Sequence, residues 1–146
     1  MKNKLAFFII AVPIIVFLDR MAKIFSPDGK CFGFICIRQT TNTGAALSLF
    51  SNFSPIIPIL IIISAAVLFL ASFFYFKEKR FGLLHTGLAL LFAGTLGNLI
   101  DRIAYGHVID FITFSFIPRF PAFNLSDFAN VAGALIIIIV LLKKGK

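Results

Sequence analysis

Four long apolar runs divide the sequence, and short clusters of charged residues separate them. A helix needs about 20 apolar residues to cross the roughly 30 Å core of a bilayer. The first run reaches that length only if its helix continues through Asp19 and Lys23. The pattern predicts one membrane domain, residues 1–146, with spans at 5–25, 55–76, 81–100 and 125–142.

The first run also resembles a secretory signal peptide, because Lys2 and Lys4 precede a short apolar stretch. No small-x-small cleavage site follows, since residues 16–20 read Val-Phe-Leu-Asp-Arg, and we favour an uncleaved helix. Asp19 and Lys23 are four positions apart with the acid first, the favoured order for a helical ion pair. Such a pair would make both charges tolerable at a membrane boundary.

Basic residues cluster at both chain ends and between the second and third runs. Because Lys and Arg concentrate in cytoplasmic loops, the N and C termini are predicted to be cytoplasmic. Residues 26–54 and 101–124 are then extracytoplasmic. Every aspartate lies on or beside this outer side, so carboxylate chemistry is expected there: Asp19, Asp28, Asp101, Asp110 and Asp127.

Composition supports a membrane protein and removes other classes. Apolar residues make up 60% and charged residues 14% of the chain, against about 45–50% and 25% in a typical soluble domain. A soluble enzyme or a disordered tail is therefore not expected, since so small a protein has too much surface to hide this apolar content. The net charge of +8 would suggest nucleic acid in a soluble chain, but its distribution follows membrane topology, and we predict no nucleic-acid binding.

The two outer segments are too long to be plain connectors. Residues 32–38 are of strand type, and a turn-forming stretch follows at 40–44. Residues 114–123 are rich in Phe and Pro, and we expect them at the level of the lipid headgroups. Cys31 and Cys36 are either a disulfide or two small apolar residues. The predicted fold class is an all-α integral membrane protein, with four transmembrane helices and a small extracytoplasmic β-like or loop element.

Polar residues at the ends of the spans have structural explanations as well as functional ones. Asn98, Asp101 and Arg102 share one helix face. Asp101 is then either the solvated end of the third span or a local ion-pair partner of Arg102. Asn124 is a good N-cap for the fourth span, and it places Asp127 at the third position, a normal site for an acid.

Asp110 has no such local explanation, because it is a lone acid in an apolar stretch. An unpaired buried charge is expensive, so Asp110 needs a partner, and the sequence offers Asp127, Asp101 or a basic residue. Two carboxylates at one site share a proton. Aspartic proteases use this arrangement: one carboxylate takes a proton from water while the other, protonated, polarises the scissile carbonyl.

Other chemistries are less well supported. His85 and His107 fall toward opposite sides of the membrane, so a zinc site is not expected, and we predict no metal and no cofactor. Gly94 and Gly97 indicate small-residue helix packing. The alternative function is a non-enzymatic four-helix membrane protein, such as a transporter subunit or a holin. A transporter should place its ionisable groups near the midplane. Here they crowd one boundary, which favours an enzyme.

Five short blocks in order match a known family, at residues 19–23, 42–48, 94–102, 106–111 and 123–127. The last three contain Gly-Asn-x-x-Asp-Arg, Val-x-Asp-Phe and Phe-Asn-x-x-Asp. With these blocks the chain resembles the lipoprotein signal peptidases (signal peptidase II), bacterial membrane aspartic proteases that remove signal peptides from lipid-modified prolipoproteins.

The resemblance implies an enzyme of the bacterial cytoplasmic (inner) membrane with its active site at the outer face. It implies membrane lipid and diacylglyceryl-modified prolipoproteins as partners, with cleavage on the amino side of the lipidated Cys, and a monomer is compatible with it. By position, the catalytic pair falls on Asp110 and Asp127. The matching substrate-binding or supporting positions are Asn42, Gly44, Ala45, Asn98, Asp101, Arg102 and Asn124, with Asp19 and Lys23 more peripheral.

The sequence departs from the family pattern at a few positions. Arg20 stands where Gln is frequent, Ser126 where Ala is usual, and Asn130 where an apolar residue is commoner. Ser126 is expected to alter the hydrogen bonding of Asp127.

Overall fold

The computed structural model describes residues 2–44, 60, 63–64, 67–68, 82–117 and 120–144. The predicted second span lies outside these residues except for its five described positions, which are helical. Elsewhere the described chain forms long helices and short strands in the order α1 (Lys2–Phe25), β1 (Lys30–Phe32), β2 (Ile35–Asn42), α2 (Leu83–Tyr105), β3 (Val108–Phe114) and α3 (Leu125–Lys144).

Within the described part of the chain, two helices are long and apolar enough to cross a membrane, Leu83–Tyr105 and Leu125–Lys143. α2 continues five residues beyond the end that hydropathy indicates, to Tyr105. It ends where Gly106 adopts a left-handed conformation (φ 76°), and the Gly106 N–H donates to the Arg102 carbonyl at 3.0 Å. Asp101 therefore lies inside the helix and is fully buried, so its interpretation as a solvated helix end was wrong.

The strands form one antiparallel sheet in the order β1-β2-β3. Cys31 lies directly opposite Cys36 in the β1–β2 hairpin, and the two form a disulfide. The hairpin includes the stretch predicted to be of strand type. β3 was not predicted, although it is rich in β-branched and aromatic residues, because its pairing partner β2 lies some 70 positions earlier in the chain.

Helix packing relies on small residues where α2 meets α3. A Cβ at Gly97 would collide with the Ser126 hydroxyl, and one at Gly94 would lie 2.6 Å from the Asn130 side-chain oxygen. Gly133 makes a similarly close approach to the backbone of α2. The predicted small-residue packing at Gly94 and Gly97 is thereby confirmed.

The helix directions follow from their contacts. Phe8 near the start of α1 packs on Phe92, with ring centroids 5.4 Å apart, and Lys23 near its end reaches Asp101. α1 and α2 are therefore parallel. α3 is antiparallel to both, because its first turn contacts the end of α1. Both parallel helices thus end beside the sheet, where α3 begins.

Candidate active site

The first turn of α3 is closed by two reciprocal hydrogen bonds. The Asp127 N–H donates to the Asn124 side-chain oxygen at 2.8 Å, and the Asn124 N–H donates to Asp127 Oδ2 at 3.2 Å. This is a capping box, as the sequence predicted. It uses only one Asp127 oxygen, and the Asn98 amide donates to the other, Oδ1, at 2.8 Å. The Asp127 carboxylate therefore caps the helix through one oxygen and joins a wider hydrogen-bond network through the other.

Asp110 lies on β3 and is 2% exposed. Its carboxylate accepts two amide hydrogen bonds, from Asn42 Nδ2 to Oδ2 at 3.0 Å and from Asn124 Nδ2 to Oδ1 at 2.6 Å. β2 supplies the first amide and the start of α3 supplies the second. The sheet and the helix bundle thus meet at this carboxylate.

Asn124 joins the two carboxylates. Its main-chain N–H binds Asp127 while its side-chain amide binds Asp110, and the same amide also donates to Asn98 Oδ1 at 3.1 Å. Among the described residues, none of the three partners that the sequence offered contacts the Asp110 carboxylate directly; two amides bind it, and Asn124 links it to Asp127. We call Asn42, Asn98, Asp110, Asn124 and Asp127 the amide–carboxylate network.

A second group of polar side chains contacts the network through Asn98. Lys23 Nζ lies 2.6 Å from Asp19 Oδ2, 2.8 Å from Asp101 Oδ2 and 3.5 Å from Asn98 Oδ1. The predicted Asp19–Lys23 pair is confirmed, but all three charged side chains are buried. Asp19 Oδ1 also accepts the Ser126 N–H at 2.9 Å, so this group ties α1 to both other helices.

The alternative interpretation, a local ion pair between Asp101 and Arg102, is also wrong. Asp101 pairs instead with Lys23 and with Arg20, and both cations come from α1. Arg102 lies on a different side of α2, where its guanidinium donates to the Gly44 carbonyl at 2.6 Å and to the Asn98 carbonyl at 3.2 Å.

Arg102 fixes the chain just after β2. The Gly44 N–H donates to Asn42 Oδ1 at 2.9 Å, so this segment also orients the amide that binds Asp110. The neighbouring predicted site residue, Ala45, lies outside the described residues.

Burial and the nearby charge of Asp127 raise the pKa of the Asp110 carboxyl to about 6. Hydrogen bonds from Asn42 and Asn124 and the charge of Lys23 oppose this shift. A carboxyl of this kind holds its proton into mildly acidic solution. Asp110 can therefore carry a proton near pH 6, as general acid–base chemistry at this carboxyl requires.

An apolar cavity of about 330 Å³ opens beside Asp127. The Phe114, Phe120 and Phe123 rings pack on one another along one side of it, with centroids 5.3–6.2 Å apart. Its full lining is Phe114, Phe120, Phe123, Asp127, Phe128, Asn130 and Val131.

Sequence reasoning missed two parts of this site. The first is Arg20, noted only as a departure from the family pattern, and the second is the aromatic cavity. The expected effect of Ser126 on Asp127 is not seen, because the Ser126 hydroxyl faces Gly97. Among the described residues, no three His, Cys, Asp or Glu side chains form a group suited to a metal ion.

A helical bundle that holds two linked carboxylates at one end is typical of a membrane aspartic protease. Comparison with known proteins agrees. A family model described as signal peptidase (SPase) II matches residues 10–143. The chain therefore belongs to the signal peptidase II family, the proteases that process lipoprotein signal peptides.

Individual relatives support this assignment. The lipoprotein signal peptidase of Mesorhizobium japonicum is 42% identical over 108 residues, which are 71% of this chain and 62% of that protein. The enzyme of the same name from Staphylococcus haemolyticus is 42% identical over 75% of this chain and 69% of its own length. Two solved structures of bacterial membrane enzymes, at 30% and 32% identity, superpose with TM-scores of 0.79 and 0.77. They cover 97% and 94% of this chain, and the chain covers 90% and 94% of theirs.

Proposed function

We propose that this chain cuts diacylglyceryl-modified prolipoproteins on the amino side of the lipidated Cys, and that Asp110 and Asp127 are its catalytic residues. The observation that carries the proposal is the bridge made by Asn124, which holds both carboxylates through two of its own N–H donors. Side chains that belong to different elements are thereby held as one unit.

The pair works with one carboxylate ionised and the other protonated. The ionised carboxylate removes a proton from water as the water oxygen attacks the scissile carbonyl carbon. The protonated carboxyl donates to the carbonyl oxygen and stabilises its developing negative charge. Collapse of the tetrahedral intermediate breaks the C–N bond, and the proton taken from water passes to the departing amine. No covalent enzyme intermediate forms.

The supporting residues fix this geometry. Asn98 and Asn42 each occupy one oxygen of a catalytic carboxylate, which leaves the carboxylates little rotational freedom. Lys23 places a positive charge near both acids. Among the described residues it forms no hydrogen bond with either of them. Preorganised dipoles and charges of this kind act without reorganisation during the reaction.

The aromatic cavity is the proposed binding site for the apolar part of the substrate. It lies beside Asp127, and its rim residues Phe128 and Val131 are 65% and 60% exposed on the outward face of α3. An acyl chain gains about 0.8 kcal/mol per CH₂ on entering such an environment. A substrate held by its lipid would present the scissile bond at a fixed depth and orientation.

We further propose four spans in the bacterial cytoplasmic (inner) membrane, with both termini cytoplasmic and the sheet on the outer face. α1 and α2 are parallel and both end at the sheet. Residues 45–81 therefore connect the sheet end of the bundle to its opposite end, as a second span would. The transporter or holin alternative is disfavoured, because the described buried charges gather at the sheet end.

The test of the function compares three forms of one precursor with the purified full chain in detergent. The forms are the diacylglyceryl-modified precursor, the same precursor before lipid transfer, and a precursor with Ser in place of the acceptor Cys. We expect efficient cleavage of the first form only. Equal cleavage of all three would show that the lipid is not recognised, and the proposed substrate would be wrong.

A further inference from the structure

Arg20 is a partly buried residue that pairs with the buried Asp101, and it departs from the family pattern. Its guanidinium joins two partners on α2: Nη1 forms an ion pair with Asp101 Oδ1, and Nη2 donates to the Tyr105 hydroxyl at 2.9 Å. The guanidinium carbon also lies 5.3 Å from the centroid of the Tyr105 ring. Arg20 is thus held in one orientation by a carboxylate and an aromatic side chain.

Charge balance gives Arg20 a defined role. Asp19 and Asp101 share the single charge of Lys23, so these three side chains alone would carry a net charge of −1 in a buried site. Arg20 adds the fourth charge and brings the sum to zero. We call these four residues the charged cluster. Without Arg20, the positive charge of Lys23 would be more completely offset by the two acids beside it.

Asp101 also connects the charged cluster to the strand that carries Asp110. Asp101 Oδ2 accepts the Ile109 N–H at 3.2 Å, and Ile109 is the residue directly before Asp110. The Ile109 carbonyl in turn accepts Asn124 Nδ2 at 3.3 Å. A change in the charge of Asp101 therefore alters the electrostatic field at the reacting groups. A change in its orientation alters their position through the backbone of Ile109.

We propose that Arg20 is a positioning residue for the reaction, which neutralises Asp101 so that Lys23 can act on the two catalytic carboxylates and Asp101 can hold β3. This inference rests on the proposed function. It assigns Arg20 no contact with the substrate.

The inference predicts the pH dependence of cleavage. Loss of the Arg20 charge makes the surroundings of the catalytic pair more negative, which favours protonated carboxylates. The pH–rate profile should therefore move to higher pH, by about half a unit, through the altered effect of Lys23 and Asp101 on the pair. The charged or titratable groups near the pair are Asp19, Arg20 and Lys23 on α1, Asp101, Arg102 and Tyr105 on α2, and His107 before β3.

The experiment measures pH–rate profiles of kcat/KM on a lipidated prolipoprotein with the full chain in detergent. Arg20→Gln should move the profile to higher pH and lower kcat more than it raises KM. Arg20→Lys retains the charge and should restore the profile of the unchanged protein. Arg38→Gln removes an exposed arginine of β2 and is the matched control, with no expected shift.

A double variant separates the proposed path from a general effect. In an Asp101→Asn background, Arg20→Gln should add a smaller shift, because Arg20 has then already lost the ion pair through which it acts on Lys23 and β3. The same Arg20→Gln shift should persist in a His107→Gln background, since the path does not involve the imidazole that packs on Tyr105.

Several results would overturn the inference. These are an unmoved profile in Arg20→Gln, an equal shift in Arg20→Lys or Arg38→Gln, and an undiminished shift when Asp101 is already Asn. If Arg20→Gln does not fold, a displaced profile in Arg20→Lys overturns it on its own. Failure of the unchanged protein to cleave, or full activity without Asp110, would instead refute the proposed function.

Discussion

α1 and α2 contact each other through different kinds of side chain at the two ends of the helix bundle. At the end away from the sheet, α1 and α2 pack through an apolar core formed by Phe8, Val12, Ala89 and Ala93. At the sheet end, the same two helices meet through the charged cluster, and Asn98 of α2 joins the amide–carboxylate network. The amino-acid types change along each helix within about three turns.

This difference separates residues that hold the bundle together from residues that perform chemistry. Burying apolar side chains carries little desolvation energy, and an apolar core tolerates substitution by apolar side chains of similar volume. Buried charges cost several kcal/mol each to desolvate, and their pairing seldom exceeds that cost. Three buried charges and the partly buried Arg20 lie beside two further acids here, and this arrangement lowers stability, which is expected where function requires the charges.

The largest predicted loss of stability is at the sheet end. Asp101→Ala removes one partner of Lys23 and the carboxylate partner of Arg20, and it leaves Ile109 without its acceptor. Breaking a buried pair in this way costs about 3–5 kcal/mol. Thermal unfolding in detergent measures it. Asp101→Asn retains an acceptor oxygen and should keep partial activity, whereas a loss below about 1 kcal/mol in Asp101→Ala would contradict the importance of the cluster.

A change at the apolar end should affect stability alone. Phe8→Ala removes a ring that is 9% exposed and packs on Phe92, and we expect a loss of about 3 kcal/mol. Cleavage per folded molecule should not change. Ile9→Ala is the matched control, because Ile9 is 60% exposed and should cost much less. Altered kcat/KM in folded Phe8→Ala would show that the two ends are coupled.

Gly97 lies where the two ends meet, and its substitution should have an intermediate effect. A Cβ at this position collides with the Ser126 hydroxyl, so Gly97→Ala should cost about 1–3 kcal/mol by overpacking. Combining it with Ser126→Gly removes the colliding group and should recover most of that loss. Additive losses in the double variant would rule out the collision as the cause.

The pH dependence of stability should show the smallest effect of the series. The pKa of Asp110 is about 6 in the folded protein, above the ordinary value of 3.8. The folded state therefore holds this proton between about pH 4 and pH 6 while the unfolded chain has released it, so stability falls as pH rises through that window. Asp110→Asn should flatten this part of a thermal unfolding series. If stability falls with pH equally steeply in Asp110→Asn, another titratable group causes the fall.

Local sequence signals predicted the helices and much of the site. Hydropathy indicated α2 and α3, and the Asn124–Asp127 capping box and the Asp19–Lys23 pair follow from spacing within one helix. Each of these features depends on residues close in sequence, and each is present in the structure.

Contacts between distant elements could not be predicted in this way. α2 continues past the end of its apolar run, which a hydropathy pattern does not show, because Arg20 and Lys23 on α1 pair with the buried Asp101. β3 was missed because its pairing partner is β2, far away in the sequence. The aromatic cavity likewise forms only after β3 and α3 pack together.

The central claim, that Asp110 and Asp127 act as one catalytic unit, is tested most directly by cleavage of a lipidated prolipoprotein by Asp110→Asn and Asp127→Asn. Asn nearly preserves shape but cannot exchange the proton. Each single variant should lose at least about a thousandfold in kcat/KM, and the double variant should lose little more than either. Asp28→Asn, which changes an aspartate outside the network, is the control and should remain active. Substantial activity in either Asp110→Asn or Asp127→Asn, with the control unaffected, would contradict the two-carboxylate mechanism.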